Sequence, residues 1–205
     1  PHPPLQARSE RTLAALAAAA EALLADRDWS DIGIQELCRQ AGCTTGAFYA
    51  RFHAKDDLLP FVYARYDAAL APRIERLLAQ AVRGPGGLRP FVRRVVSRIV
   101  RDYRERRWLL RAVGLYSRAH SAALSPDLLA RRRALHDSAL QAFLLFRDEI
   151  THRDPARAVR TGLFIAAAAA RDKILFDAPH AAVTPLSDAE LVTELTRALH
   201  AYLTG

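Results

Sequence analysis

Along the chain, apolar residues return every three or four positions and show no sustained two-residue alternation. That is the period of helices packed on one face, not of strands. Leu13, Leu16, Ala20 and Leu24 fall on one side of a first helix from about Ser9 to Asp26, and Trp29 follows as a packing anchor. A short helix is predicted from Ile34 to Ala41, with Gly33 as its cap. Ala41-Gly42 breaks it, because glycine readily takes the left-handed conformation that a sharp turn needs. Thr44 can cap a third short helix through about Phe52. A longer helix follows Lys55, with Pro60 in its early turns and Pro72 expected to kink it.

Arg83-Gly84-Pro85-Gly86-Gly87 reads as a linker. Beyond it the pattern predicts helices at about Leu88–Arg104, Arg106–Ser121, Pro126–Ile150, Pro155–Phe176 and Asp188–Leu203. Ser125-Pro126 and Asp154-Pro155 read as an N-cap followed by proline at the first helical position. A loop is expected over Asp177–Pro185, with Ser187 capping the last helix. The fold class is therefore all-α.

Composition narrows the picture. Apolar residues make up 51% of the 205-residue chain, enough for a folded core. The two cysteines, Cys38 and Cys43, are too few to frame a disulfide-built domain. Both sit in apolar slots of the pattern and read as packing residues. The seven histidines are scattered without metal-ligand spacing, so no metal or other cofactor is expected. Gly84–Gly87 lacks the lysine and hydroxyl of a phosphate loop. No nucleophile, base and acid constellation stands out, so an enzyme is not expected. No apolar run is long enough for a membrane span. Glu21 interrupts the apolar stretch after Arg11, which argues against a secretion signal and for a cytoplasmic protein.

The formal net charge of +8 permits a polyanionic partner. Its distribution is less simple. Residues 1–57 hold six basic side chains against eight acidic ones, and most of the excess lies between Arg83 and Arg133. Any nucleic-acid argument rests on the placement of a few groups. Two short helices joined by a tight glycine-containing turn are the helix-turn-helix pattern, whose second helix must enter the major groove of DNA. Thr44-Thr45-Gly46-Ala47 suits that task. Thr44 caps the helix and can bond a phosphate. Thr45 can bond a base edge, Gly46 lets the backbone approach closely, and Ala47 can touch a thymine methyl. Tyr49 offers a ring to the core and a hydroxyl to a phosphate. Arg51 and Lys55 flank the helix as cations, or serve merely as a surface residue and a cap. Phe48, Phe52, Leu37, Cys38 and Cys43 fit the interior.

The stretch from Arg11 to Leu59 resembles the DNA-binding domain of the TetR family. Ala41, Gly42, Thr44, Gly46, Tyr49, Phe52 and Lys55 carry the likeness. Cys43 stands where the family commonly has valine, Ile32 and Gly33 where it has hydroxyl caps, and Ala50 where an aromatic or histidine is frequent. The resemblance implies an N-terminal three-helix helix-turn-helix domain, residues 1–56, and a helical effector-binding and dimerisation domain, residues 57–205. It implies a homodimer through the last two helices, a double-stranded DNA operator, and a repressor released by an unknown small-molecule effector. Trp108, Tyr116, His120, Phe143 and Phe164 are the candidate effector-pocket residues, with ordinary packing as the alternative. Two other readings remain open: a helix-turn-helix protein without effector control, and a helical enzyme with a vestigial DNA head.

Overall fold

The computed structural model describes residues 5–83, 86–120, 126–176 and 185–205. Its helices are α1 (Leu5–Leu23), α2 (Ile34–Ala41), α3 (Thr45–Tyr49), α4 (Leu59–Arg83), α5 (Leu88–Glu105), α6 (Arg107–Ala119), α7 (Pro126–Leu144), α8 (Pro155–Arg171) and α9 (Asp188–Thr204). Among the described residues there is no strand, and no helix is long and apolar enough to cross a membrane.

The chain forms two compact units. The first comprises residues 1–68 and 108–125, so most of α6 packs with the N-terminal helices. Its core holds Leu16, Ala20, Leu24, Trp29, Ile32, Leu37, Cys38, Phe48, Phe52, Leu58 and Val62, with Leu109 and Val113 from α6. Leu16, Ala20 and Leu24 are the face read from the sequence. Phe48 and Phe52 meet with ring centroids 5.1 Å apart.

The second unit comprises residues 69–107 and 126–205. Helix α5 buries Leu88, Phe91, Val92, Val95, Val96 and Val100. Phe91 lies edge-on to Phe143 at 4.8 Å and stacks on Phe146 at 4.9 Å. That aromatic cluster explains why α7 ends at Leu144 and not at Ile150. The chain must turn to bring Phe146 onto Phe91, and a 3₁₀ turn at Arg147–Glu149 follows. The Glu149 carboxylate then accepts from the Leu88 amide at 2.9 Å, satisfying one of the free donors at the start of α5.

Several boundaries differ by less. Helix α1 starts at Leu5 and ends at Leu23, and α3 ends at Tyr49 and not at Phe52. The amides of His53 and Ala54 donate instead to the Asp57 carboxylate, at 3.0 and 2.9 Å. A 3₁₀ turn at Lys55–Leu58 precedes α4. Helix α4 continues through Pro72. The last turn after α8, Asp172–Phe176, is π-helical. The caps are as expected. Asp154 accepts from the Arg157 amide at 3.0 Å, and Ser187 and Glu190 form a reciprocal capping box. The predicted Ser125 cap and most of the Asp177–Pro185 loop fall outside the described residues.

Helices α8 and α9 cross closely at Gly162. A methyl group there would collide with the Leu199 side chain and stand 3.3 Å from the Tyr202 ring. Leu199 is itself buried, so it has little room to yield. We expect Gly162→Ala to destabilise the fold by about 1–3 kcal/mol through overpacking, although alanine is the better helix former. Denaturant unfolding checks this; a gain in stability would mean that the crossing is looser than described.

Candidate DNA-binding site

The turn between α2 and α3 follows from Gly42, which adopts φ 65°, ψ 34°. In that left-handed state its amide donates to the Arg39 carbonyl at 3.2 Å, and the next amide, of Cys43, reaches back to Cys38 at 2.9 Å. These paired bonds close the end of α2 in the Schellman manner. An L-residue at this φ would be strained whatever the space around it. Two residues later the Thr44 hydroxyl accepts from the Ala47 amide at 3.1 Å, capping α3. A capping hydroxyl keeps its proton for a second acceptor, so Thr44 can hold α3 and still donate to a phosphate.

Thr45 and Gly46 are exposed in the first turn of α3, and Ala47 is half-buried. Phe48 is fully buried on the opposite side. Gly46 is informative. A methyl group added there would meet nothing nearer than the Thr44 hydroxyl oxygen, at 3.8 Å, an ordinary contact. Packing within the protein therefore does not demand glycine, and glycine in a helix costs about 1 kcal/mol relative to alanine. Bareness at this position suits an external surface that must approach closely.

Other predicted residues take different roles. Tyr49 does not contribute its ring to the core: it is 56% exposed and meets Phe48 edge-on at 5.6 Å. Arg51 folds back on the protein. Its guanidinium donates to the Ala47 carbonyl at 2.7 Å and to the Ser9 hydroxyl at 3.2 Å. It thus closes the C-terminal end of α3 and ties it to α1. Lys55 points inward too. Its ammonium donates to the carbonyls of Trp29 at 2.6 Å and Ile32 at 2.9 Å, and lies 4.9 Å from the Trp29 ring centroid. The Trp29 indole N–H donates in turn to the Asp56 carboxylate at 2.7 Å. The two residues that the sequence offers as DNA cations thus both make hydrogen bonds within the three-helix unit.

The acidic balance of the N-terminal segment also resolves. Glu36 pairs with Arg27 at 2.8 Å, Glu21 with Arg65 at 3.0 Å and Asp28 with Arg111 at 3.2 Å. Asp56 and Asp57 receive the indole and backbone donors already described. Two of these partners, Arg65 and Arg111, lie outside residues 1–57, so counting that segment alone misses them. Arg39 and His53 are exposed beside the helix-turn-helix turns. They are the cationic or ionisable groups that the motif left aside.

The five candidate pocket residues divide between the units. Trp108, Tyr116 and His120 belong to the first, and Phe143 and Phe164 to the second. Tyr116 stacks on His120 at 4.3 Å. Burial, then the charges of Asp57 and Asp56, push the Tyr116 phenol above its ordinary range. Phe143 is fully buried and Phe164 is 68% exposed, so the two do not share an environment. A surface cleft of about 500 Å³ in the second unit is lined by His152, Arg153, Asp154, Arg157 and Tyr202, and includes none of the five. No group of histidine, cysteine and carboxylate side chains that could hold a metal occurs among the described residues.

Residues 16–60, the segment just described, match the family model of bacterial regulatory proteins, tetR family. Those residues form a tetR-type DNA-binding domain. The match supports a DNA-binding transcriptional regulator. Solved structures agree over nearly the whole chain. A TetR transcriptional regulator from Rhodococcus sp. RHA1 is 18% identical, with 97% of this chain and 98% of that one covered and a TM-score of 0.57. RolR, described in complex with the ligand resorcinol, is 20% identical, with 96% and 89% covered and a TM-score of 0.60. The repressor AlkX from Dietzia sp. strain DQ12-45-1b is 21% identical, with 93% and 94% covered and a TM-score of 0.51. At these identities the likeness establishes the all-helical fold. No curated protein matches the sequence.

Two substitutions separate DNA contact from scaffolding. Gly46→Ala is expected to stabilise the free protein by about 0.5–1 kcal/mol and to weaken DNA binding tenfold or more. Thermal melting and duplex titration of the same sample check this; unchanged affinity would show that nothing approaches Gly46. Lys55→Ala is expected to destabilise the protein by about 1–3 kcal/mol, because two carbonyls lose their donor. It should leave the slope of log affinity against log salt unchanged, whereas losing a phosphate contact lowers that slope by about 1.

Proposed function

We propose that this protein is a homodimeric tetR-family repressor that reads a near-palindromic operator with α3 and is released by a small molecule bound in its helical C-terminal region. The observation that carries the reading is the open first turn of α3. Thr44 caps it, Thr45 is exposed for a base edge, and Gly46 is bare without an internal reason for being so. Phosphate contacts then come from the Thr44 hydroxyl and the exposed Tyr49 hydroxyl, which position the helix, while Thr45 and Ala47 read the sequence.

The dimer rests on α8 and α9. Phe164 and Ile165 on α8 are 68% and 51% exposed, and Tyr202 on α9 is 38% exposed. Large apolar side chains grouped on two neighbouring helices favour burial against a second copy. A two-fold dimer sets its recognition helices about 34 Å apart, one turn of DNA. Phe164 belongs to this interface in our reading, and Phe143 to the core. Trp108, Tyr116 and His120 remain the candidates for effector contact. The bound resorcinol described for RolR supports a small-molecule site in this fold. An effector acts here only by its differential affinity for the DNA-competent and DNA-incompetent conformers.

Selection of bound duplexes from a random library at near-physiological salt tests the operator. We expect enrichment of a palindrome with half-site centres about 10 base pairs apart; enrichment of none would overturn the operator reading. Phe164→Asp tests the dimer by sedimentation. The variant should dissociate to monomers at micromolar concentration and lose operator affinity, and a variant that stays dimeric removes α8 from the interface.

A further inference from the structure

Cys38 and Cys43 are both free thiols, and both belong to the closure between α2 and α3. Cys38 lies at the end of α2, buried with Leu37, while Cys43 is half-buried in the turn. The Schellman closure that ends α2 fixes their relation: the Cys43 amide donates to the Cys38 carbonyl at 2.9 Å. This closure brings the two flanking side chains towards each other. The sequence pattern reads both as packing residues. Packing alone requires no sulfur at either position, and the half-exposed Cys43 leaves one of the two within reach of solvent.

We propose that Cys38 and Cys43 are an oxidation site, at which a hydroperoxide converts the two thiols to an intramolecular disulfide and lowers the affinity of the protein for DNA. The proposal rests on the DNA-binding reading for its second half only. Cys43, the more accessible thiol, reacts first. Its thiolate sulfur attacks the O–O bond of hydrogen peroxide, giving a sulfenic acid and hydroxide, which the thiol proton neutralises to water. The Cys38 sulfur then attacks the Cys43 sulfur, its proton leaves with the sulfenic oxygen as a second water, and the S–S bond forms. Two thiols and one hydrogen peroxide give one disulfide and two waters. Burial first, then the charge and the hydrogen bond of Cys43, push the Cys38 thiol up to about 11. This disfavours direct reaction of Cys38 with peroxide and leaves Cys43 as the thiol oxidised first.

The consequence for DNA binding is geometric. The two sulfurs must close to about 2.05 Å to form the bond, and the turn absorbs the movement. Thr44, the cap of α3, is the next residue after Cys43, and Thr45 and Gly46 follow it. Hydrogen bonds to base edges operate over a range of only about 2.7–3.2 Å, so a displacement near 1 Å at the start of α3 removes them.

The protein is treated with a small excess of hydrogen peroxide and analysed by intact mass and non-reducing peptide mapping. We expect a loss of about two mass units, from the two hydrogens, and a Cys38–Cys43 linked peptide, both reversed by dithiothreitol. Affinity for the duplexes enriched by the reduced protein should fall at least tenfold on oxidation and recover on reduction. Cys43→Ser should form no disulfide, and its affinity should be insensitive to peroxide. If the reduced protein enriches no duplex, hydrogen exchange at the Ala47 amide reports the displaced cap instead, and faster exchange after oxidation is the expected result. Stepwise oxygen addition at Cys43 with Cys38 left free, disulfides between chains, or a linked pair that changes neither affinity nor Ala47 exchange would overturn the proposal.

Discussion

A single ammonium group sets the geometry on which the DNA-binding unit depends. Lys55 holds the Trp29 and Ile32 carbonyls at 2.6 and 2.9 Å, joining the segment before α2 to the segment after α3. The Trp29 ring lies beneath it and anchors on Asp56 through the indole N–H. Half-buried carbonyls need donors, and one flexible side chain supplies both. Between these two fixed ends, α2 and α3 are only eight and five residues long. Helices of that length do not persist alone in water, so the recognition helix owes its orientation to its surroundings.

The same economy governs the exposed face of α3. Its caps face inward or along the axis: Thr44 closes the N-terminal end, and Arg51 closes the C-terminal end while reaching Ser9 on α1. Phe48 fills the core beneath. What remains outward is small at the first turn and aromatic at Tyr49. A small first turn fits a groove, and an exposed phenol fits the backbone beside it. The internally paired Glu21, Asp28 and Glu36 keep the unit from repelling a polyanion despite its acidic count.

Local chemistry made much of this legible in the sequence. The span of α2, the left-handed Gly42 and the Thr44 cap all depend on residues within five positions, and the structure places them as read. The proline and serine signals at Asp154-Pro155 and Ser187 are local in the same way. Long-range partners were not legible. Lys55 finds its acceptors 23 and 26 residues away, and Arg51 finds Ser9 42 residues away; nothing in the spacing distinguishes these cations from ones aimed at a phosphate. The premature end of α7 has a similar origin, since Phe146 turns to stack on Phe91 across the second unit. Periodicity marked Phe143 and Phe164 as apolar alike but did not separate a buried ring from an exposed one. The proximity of the two thiols was implicit in the Gly42 turn, but a pattern read for burial gave them no further meaning.

The central claim is that the open first turn of α3 meets DNA while Arg51 and Lys55 hold it in place from within. Backbone amide shifts followed by NMR during titration with a selected duplex test it most directly. The account predicts the largest changes at Thr44–Tyr49, with small changes at Trp29 and Ile32, whose carbonyls keep their lysine. Shifts concentrated elsewhere, with the amides of Thr45 and Gly46 unmoved, would contradict it.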